Sequence, residues 1–307
     1  MTRRGWVLFI AMALIWGIPY LFIKIAVGEL TPATLVFLRS ALGAVFLLPI
    51  ALARKDLAPL RPYWKWILAY TFVEVAAPWY LLSDAERRIS SSLAGLLIAA
   101  VPSIGAGLAL VTGGERLDSR RVAGLAVGFL GVAALVGLDV HADDLFAIGQ
   151  VGLVTLGYAI GPMIIERKLG SLPALGVVAA SLGLTAIAYA PLGLAQLPTT
   201  VPSPSVLFAV AVLGVVCTAL AFVLFFALIA EVGGPRATVI TYVNPAVALL
   251  LGVALLNERF TLGIAIGFVL IVLGSVLATR RAPNSVAATS SEDRAGGSSR
   301  EVEATRS

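Results

Sequence analysis

Apolar residues recur along this chain in long blocks separated by short polar gaps. A helix that crosses a bilayer needs about 20 mostly apolar residues. Ten stretches meet that requirement: 5–26, 33–53, 64–82, 91–111, 121–138, 145–165, 174–194, 205–230, 236–256 and 260–280. The gaps carry turn formers and charges, as in Arg54-Lys55-Asp56, Gly113-Gly114-Glu115, Asp143-Asp144 and Gly233-Gly234-Pro235. Only Asn257-Glu258-Arg259 divides the last two blocks. The pattern predicts an all-α polytopic membrane protein with ten transmembrane helices. Residues 282–307 are rich in Ser, Ala, Gly, Glu and Arg and lack aromatic side chains, which predicts a disordered tail.

The chain also repeats itself. Gly114-Glu115-Arg116 answers Asn257-Glu258-Arg259, and each glutamate follows a proline by 13 residues, Pro102 and Pro245. The offset is 143 residues, and it also relates Ala94 to Ala237, Gly124 to Gly267, Gly131 to Gly274 and Pro19 to Pro162. Pro32 and Pro173 are 141 apart, and Pro49 and Pro191 are 142 apart. Two halves follow, at 1–140 and 141–281, with a tail at 282–307. Each holds five spans, an odd number, so the second copy must run inverted. Inverted repeats are a recurrent plan of secondary transporters, which bind their substrate near the midplane.

Composition agrees with a lipid environment: 59% of residues are hydrophobic, 13% are charged and mean hydropathy is +0.98. A soluble domain has about a quarter of its residues charged. The net charge of +5 lies in gaps between spans, so nucleic acid is not the expected partner. Those gaps fix an orientation, because cytoplasmic loops hold the excess of Lys and Arg. With the N-terminus inside, 17 of the 22 Lys and Arg fall on the inner side, three fall outside and two lie within spans. Both termini are expected in the cytoplasm, and the first span is expected to be retained. Arginine far outnumbers lysine, which suits a GC-rich bacterial genome and hence a bacterial inner membrane.

The carrying pairs Trp16-Gly17 and Phe37-Leu38-Arg39, with the two Pro-to-Glu-Arg segments 102–116 and 245–259, give a specific likeness. The arrangement resembles the drug/metabolite transporter superfamily, and specifically its EamA-type members, over roughly residues 5–280. The resemblance implies a ten-helix bundle with a central cavity that exports small metabolites, amino acids or drugs. The halves differ in their first spans, where Trp16-Gly17 is answered by Gly157-Tyr158.

Three ionisable side chains fall inside spans: Lys24, Arg39 and Glu74. Charges there are costly and face the protein interior or a water-filled path. Glu74 suits proton coupling or recognition of an amine; the structural alternative is a protonated carboxyl satisfied by a neighbouring helix. Pro78 cannot bond the Glu74 carbonyl. Arg39 could meet an anionic group or Glu74, but is read as a structural charge, because the resemblance implies an arginine here whatever the substrate. Lys24 is expected to snorkel. Pro102 and Pro245 break matching helices beside Ser103, Tyr242 and Asn244, the strongest sequence pointer to a transport site; a packing kink is the alternative. Trp16, Tyr20, Trp79, Tyr80, Tyr158 and Tyr242 are candidate cavity walls; Trp16 and Tyr158 rank first, and for Tyr20, Trp79 and Tyr80 an interfacial belt is the favoured alternative. Glu115 and Glu258 end the broken spans and are read as structural or gating residues. Glycines such as Gly105, Gly107, Gly124, Gly128 and Gly131 allow close helix approach.

One cysteine, Cys217, excludes an internal disulfide, and one histidine, His141, excludes a zinc cluster. No Walker motif is present, so no nucleotide-hydrolysing site is expected, and neither is a metal or cofactor. An intramembrane enzyme lacks its constellation. The reading is a secondary transporter, with a small-molecule substrate, the lipid bilayer and protons as partners; a channel or sensor without active coupling is the alternative.

Overall fold

A computed structural model describes residues 1–111, 119–139, 144–233 and 237–279. The tail, Glu115 and His141 therefore lie outside the described residues. The helices are α1 (Arg3–Ile15), α2 (Pro19–Ala26), α3 (Pro32–Ala53), α4 (Trp64–Tyr70), α5 (Ala77–Ala85), α6 (Ser91–Ile98) and α7 (Val101–Val111). They continue as α8 (Ser119–Asp139), α9 (Leu145–Ile164), α10 (Ala174–Ala195), α11 (Pro204–Ala211), α12 (Ala221–Val232), α13 (Asn244–Leu256) and α14 (Leu262–Thr279). Among the described residues, six helical stretches are long and apolar enough to cross a membrane, and three more are shorter and apolar. The chain is a multi-pass membrane protein, all-helical among the described residues.

Local chemistry sets the helix starts. The Thr31 side chain accepts from the Thr34 amide at 3.3 Å, with Pro32 at the first helical position where a missing N–H costs nothing. Ser90 caps α6 in the same way through the Leu93 amide at 3.1 Å. Thr2 caps α1 through Gly5 at 3.0 Å.

The solvent of this fold is legible in what it leaves outside. Phe129, Ile187, Val45 and Phe72 are largely exposed, at 75%, 73%, 66% and 66%. The interior meanwhile holds Ser40, Ser92, Thr155, Thr185, Thr218 and Ser275. Apolar outside and hydroxylated inside is what lipid selects, since an unpaired polar group cannot face hydrocarbon.

Small residues let the helices meet. On α8, a Cβ at Gly131 would lie 2.7 Å from the Ile271 amide nitrogen of α14, and one at Gly124 would strike the backbone near Ala278. Gly105 and Gly107 make only ordinary contacts, so the close approach expected there is instead concentrated in α8 against α14. α3 lies along α10, where Thr34 Oγ1 donates to the Gly193 carbonyl at 3.0 Å. The segment 64–85 lies on α9, and α6 lies on α13, with Gly95 facing the Ala248 methyl.

Several helices are wound irregularly. Residues Thr71–Ala76 and Val212–Leu220 form π turns, and Thr238–Tyr242 forms a 3-10 turn. The first span is interrupted at Trp16–Ile18, before Pro19.

Candidate functional site

Two groups of side chains come together inside the bundle. The first lies where α3, the segment 64–85, α9 and the π turn Val212–Leu220 meet. Arg39 is buried there, with its guanidinium carbon 3.7 Å from the centre of the Trp79 ring. Its Nε donates to Thr218 Oγ1 at 3.1 Å. Thr218 in turn donates to the Leu213 carbonyl at 2.7 Å, a five-residue step that the π turn makes possible. No carboxylate pairs with Arg39 among the described residues. Its charge is balanced by a ring face and a hydroxyl that tie three segments of chain together. Trp79 is buried, at 6% exposure, rather than in a belt at the interface, because its ring floors the arginine. Tyr20 is likewise buried, at 7%, with its ring against α6.

Glu74 sits in the π turn Thr71–Ala76 and is half-buried, with Oε2 sealed and without a hydrogen-bond partner. It does not pair with Arg39. Its carboxyl fits against α9 because Gly161 has no side chain; a Cβ there would overlap Glu74 Oε2. One turn earlier, Gly157 rests on the Val73 carbonyl and Pro78. The π turn absorbs Pro78: the Ala77 amide bonds five residues back, to Phe72, so the chain passes the proline without ending the span. Tyr158, half-buried, lies between these glycines and in reach of the Trp79 indole. Glu74, Tyr158 and Arg39 thus share one region.

The second group surrounds the helix breaks. α6 ends at Ile98 and α7 begins at Val101; the 3-10 turn ends at Tyr242 and α13 begins at Asn244, 143 residues after Val101. The Asn244 amide, oriented so that its nitrogen faces the two carbonyls, donates to Ala13 at 3.0 Å and Ile240 at 2.9 Å. Ser103 shares a hydrogen bond with Ser275 of α14 at 3.0 Å, and Ser275 Oγ donates to the Ala99 carbonyl, exposed by the first break, at 3.1 Å. The Tyr242 hydroxyl donates to the Ser275 carbonyl at 3.3 Å. Trp16 leans on Phe225, 4.6 Å between centroids, and edge-on to Phe222 at 6.0 Å. Ser103, Tyr242 and Asn244 therefore carry bonds between helices.

Glu258 is not paired with Arg259. It reaches across to the start of α6, accepting from the Ser91 amide at 2.7 Å, the Ser92 amide at 2.9 Å and Ser92 Oγ at 2.5 Å. A carboxylate there completes the unbonded N–H groups of a helix start and meets its positive end. Lys24 does not snorkel: its Nζ donates to the carbonyls of Glu86 and Ile89.

A cavity of about 460 Å³ lies elsewhere, under the loop 197–202, with walls from Leu30, Leu38, Leu42, Leu207 and Val210. None of the candidate residues lines it. Its walls are nearly all apolar, so the chemistry rests with the buried polar groups and not with this groove. Thr218 and Gly161 were missed by sequence reasoning, and Trp79 was named but favoured for the interface; the Gly157 match to Trp16-Gly17 was the one available signal for the glycine contact.

Comparison with known proteins adds the lineage. The model of the EamA-like transporter family matches twice, over residues 3–137 and 145–280. An uncharacterized transporter of Archaeoglobus fulgidus is 24% identical over 285 residues, covering 91% of this chain and 99% of its own. The uncharacterized inner membrane transporter YedA of Escherichia coli K12 is 27% identical, covering 87% and 90%. A probable amino-acid metabolite efflux pump of the same organism is 26% identical over 149 residues, covering 48% of each chain. A solved crystal structure superposes with a TM-score of 0.64 over 91% of this chain and 97% of that one, at 22% identity, which speaks to the fold alone.

Proposed function

The chain belongs to the EamA-like transporter family, and from that premise we propose that it is a secondary transporter that exports small metabolites by alternating access. Two five-helix halves, 1–140 and 141–281, run in opposite orientations through a bacterial inner membrane, with both termini and the tail 282–307 in the cytoplasm. The double match of the family model and the distribution of Lys and Arg support this topology.

The observation that carries the reading is the pair of helix breaks at 99–100 and 243. They stand at one offset in the two halves, and the helices that hold them pack on each other through Gly95 and Ala248. Interrupted helices in matching positions supply polar backbone at the midplane without exposing it to lipid. Trp16, Ser103, Tyr242 and Asn244 provide aromatic surface and hydrogen-bonding groups beside them, and Tyr158 adds a ring beside Glu74. Glu74 is the carboxyl for proton exchange or for an amine, and Arg39 a structural charge. Pro102, Pro245, Glu115 and Glu258 serve the breaks and their ends. Amino acids and their derivatives head the substrate classes, in keeping with the name of the Escherichia coli efflux pump.

The test is a flux screen in proteoliposomes with labelled amino acids, cationic drugs and sugars. The reading expects at least one class to move with saturation and with competition by unlabelled solute. Flux that never saturates points to the channel alternative; none for any class contradicts the reading.

A further inference from the structure

Glu86 is the first residue past α5, beside Arg87 and Arg88, where a sequence places a solvated carboxylate. The fold tucks it under the turn instead. It is 0% exposed, and both Oε1 and Oε2 are sealed without a hydrogen-bond partner. A carboxylate in such a place is far costlier than a neutral carboxylic acid.

Charged and titratable groups from four other segments act on it electrostatically. Lys24 and Tyr20 come from α2, Arg39 from α3, Tyr158 from α9 and Glu258 from the segment 257–261. On its own stretch, Asp84 is occupied by Arg87 at 3.5 Å and by Gln150 Nε2 at 2.9 Å, and Arg88 lies over the Phe146 ring. Burial pushes the Glu86 carboxyl above the usual carboxylate range, with Lys24 opposing and Glu258 adding to it.

Lys24 also decides what the site can hold. Its ammonium donates to the Glu86 carbonyl at 2.5 Å and the Ile89 carbonyl at 2.8 Å. Those two oxygens already face a cation, so they are not free to take part in the oxygen shell a sodium ion needs. A proton needs no shell. Glu258, which grips the start of α6, is the other carboxylate within electrostatic reach, so a charge gained at Glu86 acts on the helix that carries the first break.

We propose that Glu86 is a proton-binding site beneath the turn joining α5 to α6, its sealed and unpartnered carboxyl held beside the Lys24 ammonium. A part for it in coupling export, alongside Glu74, rests on the transporter reading above; the binding of the proton does not.

Dicyclohexylcarbodiimide tests it, because this apolar reagent forms adducts with protonated carboxyls in apolar surroundings. Purified full-length protein, with no solute present, is treated across a range of pH and mapped by mass spectrometry. The Glu86 peptide should carry the adduct well above the pH at which an exposed glutamate is already ionised, and yield should fall as pH rises further. Glu86→Gln should remove that adduct and leave any at Glu74. An unmodified Glu86 throughout, or a yield indifferent to pH, overturns the proposal. For coupling, solute-driven proton flux is compared between wild type and Glu86→Gln, with Glu86→Asp to separate lost folding from a lost carboxyl. Loss in Gln with recovery in Asp supports it, and equal flux in Gln and wild type overturns the coupling while leaving the labelling result standing.

Discussion

Arg39 and Trp79 form a stacked pair, 3.7 Å from guanidinium carbon to ring centre, with no carboxylate beside them among the described residues. The stack needs a planar cation, and the Nε bond to Thr218 needs a donor at that point on the stem. Lysine offers neither. Arg39→Lys should therefore lower stability by about 2 kcal/mol, from the lost planar stacking and the lost charged hydrogen bond. Thermal unfolding in detergent measures it. A change within error would mean that the pair does not lock the helices.

Gly157 and Gly161 make the contact between α9 and the segment that holds Glu74. Gly157→Ala drives a methyl into the Val73 carbonyl, which is backbone and cannot step aside. It should cost about 1–3 kcal/mol, the range of overpacked cores. Gly161→Ala meets the Glu74 carboxyl instead, so it should displace that side chain and alter proton-linked behaviour more than folding. Gly149→Ala is the control: nothing lies within 4 Å of its Cβ, and it should be neutral or slightly stabilising. Unfolding midpoints of the three variants check the order.

Glu258 satisfies three donors at the start of α6. Glu258→Ala leaves two backbone amides and a hydroxyl without their acceptor, and should cost about 1–2 kcal/mol. Hydrogen exchange localises the effect: amides in 91–96 should lose protection, while those of α10 keep theirs.

Glu29 accepts from Ser203, through its side chain and through its amide at 2.8 Å, and these bonds hold the Glu29 carboxyl below its ordinary value of 4.5. The sign follows from that depression: the contribution is full above the ordinary value and is lost as pH falls through the folded-state value. Protection of the Ser203 amide, corrected for intrinsic exchange, should be constant near neutrality and drop only in acid, below the ordinary glutamate value. Glu29→Gln should flatten the profile.

Pro102 and Pro245 announced the two breaks, because a missing N–H and a fixed φ act locally. The glycines of α8 announced a close helix contact by spacing alone. Glu86 was not legible: three polar residues in a row mark a turn, and nothing in a turn says which side chain it folds inward. Nor was Trp79, whose burial depends on Arg39, a residue 40 positions earlier in the chain. The π turns were hidden for a related reason. Residues Thr71–Ala76 and Val212–Leu220 have ordinary helical composition, and their register follows from what packs on them. Contacts between distant segments set these features, and periodicity within one segment does not carry them.

Alternating access is tested most directly by counterflow. Proteoliposomes are loaded with unlabelled solute, drawn from whichever amino acids, cationic drugs or sugars move in the flux screen, and entry of the labelled solute is followed at equal concentration on both sides. A carrier that must return its site should show faster labelled entry with solute inside than without. An entry rate indifferent to solute on the far side would contradict alternating access and leave a channel.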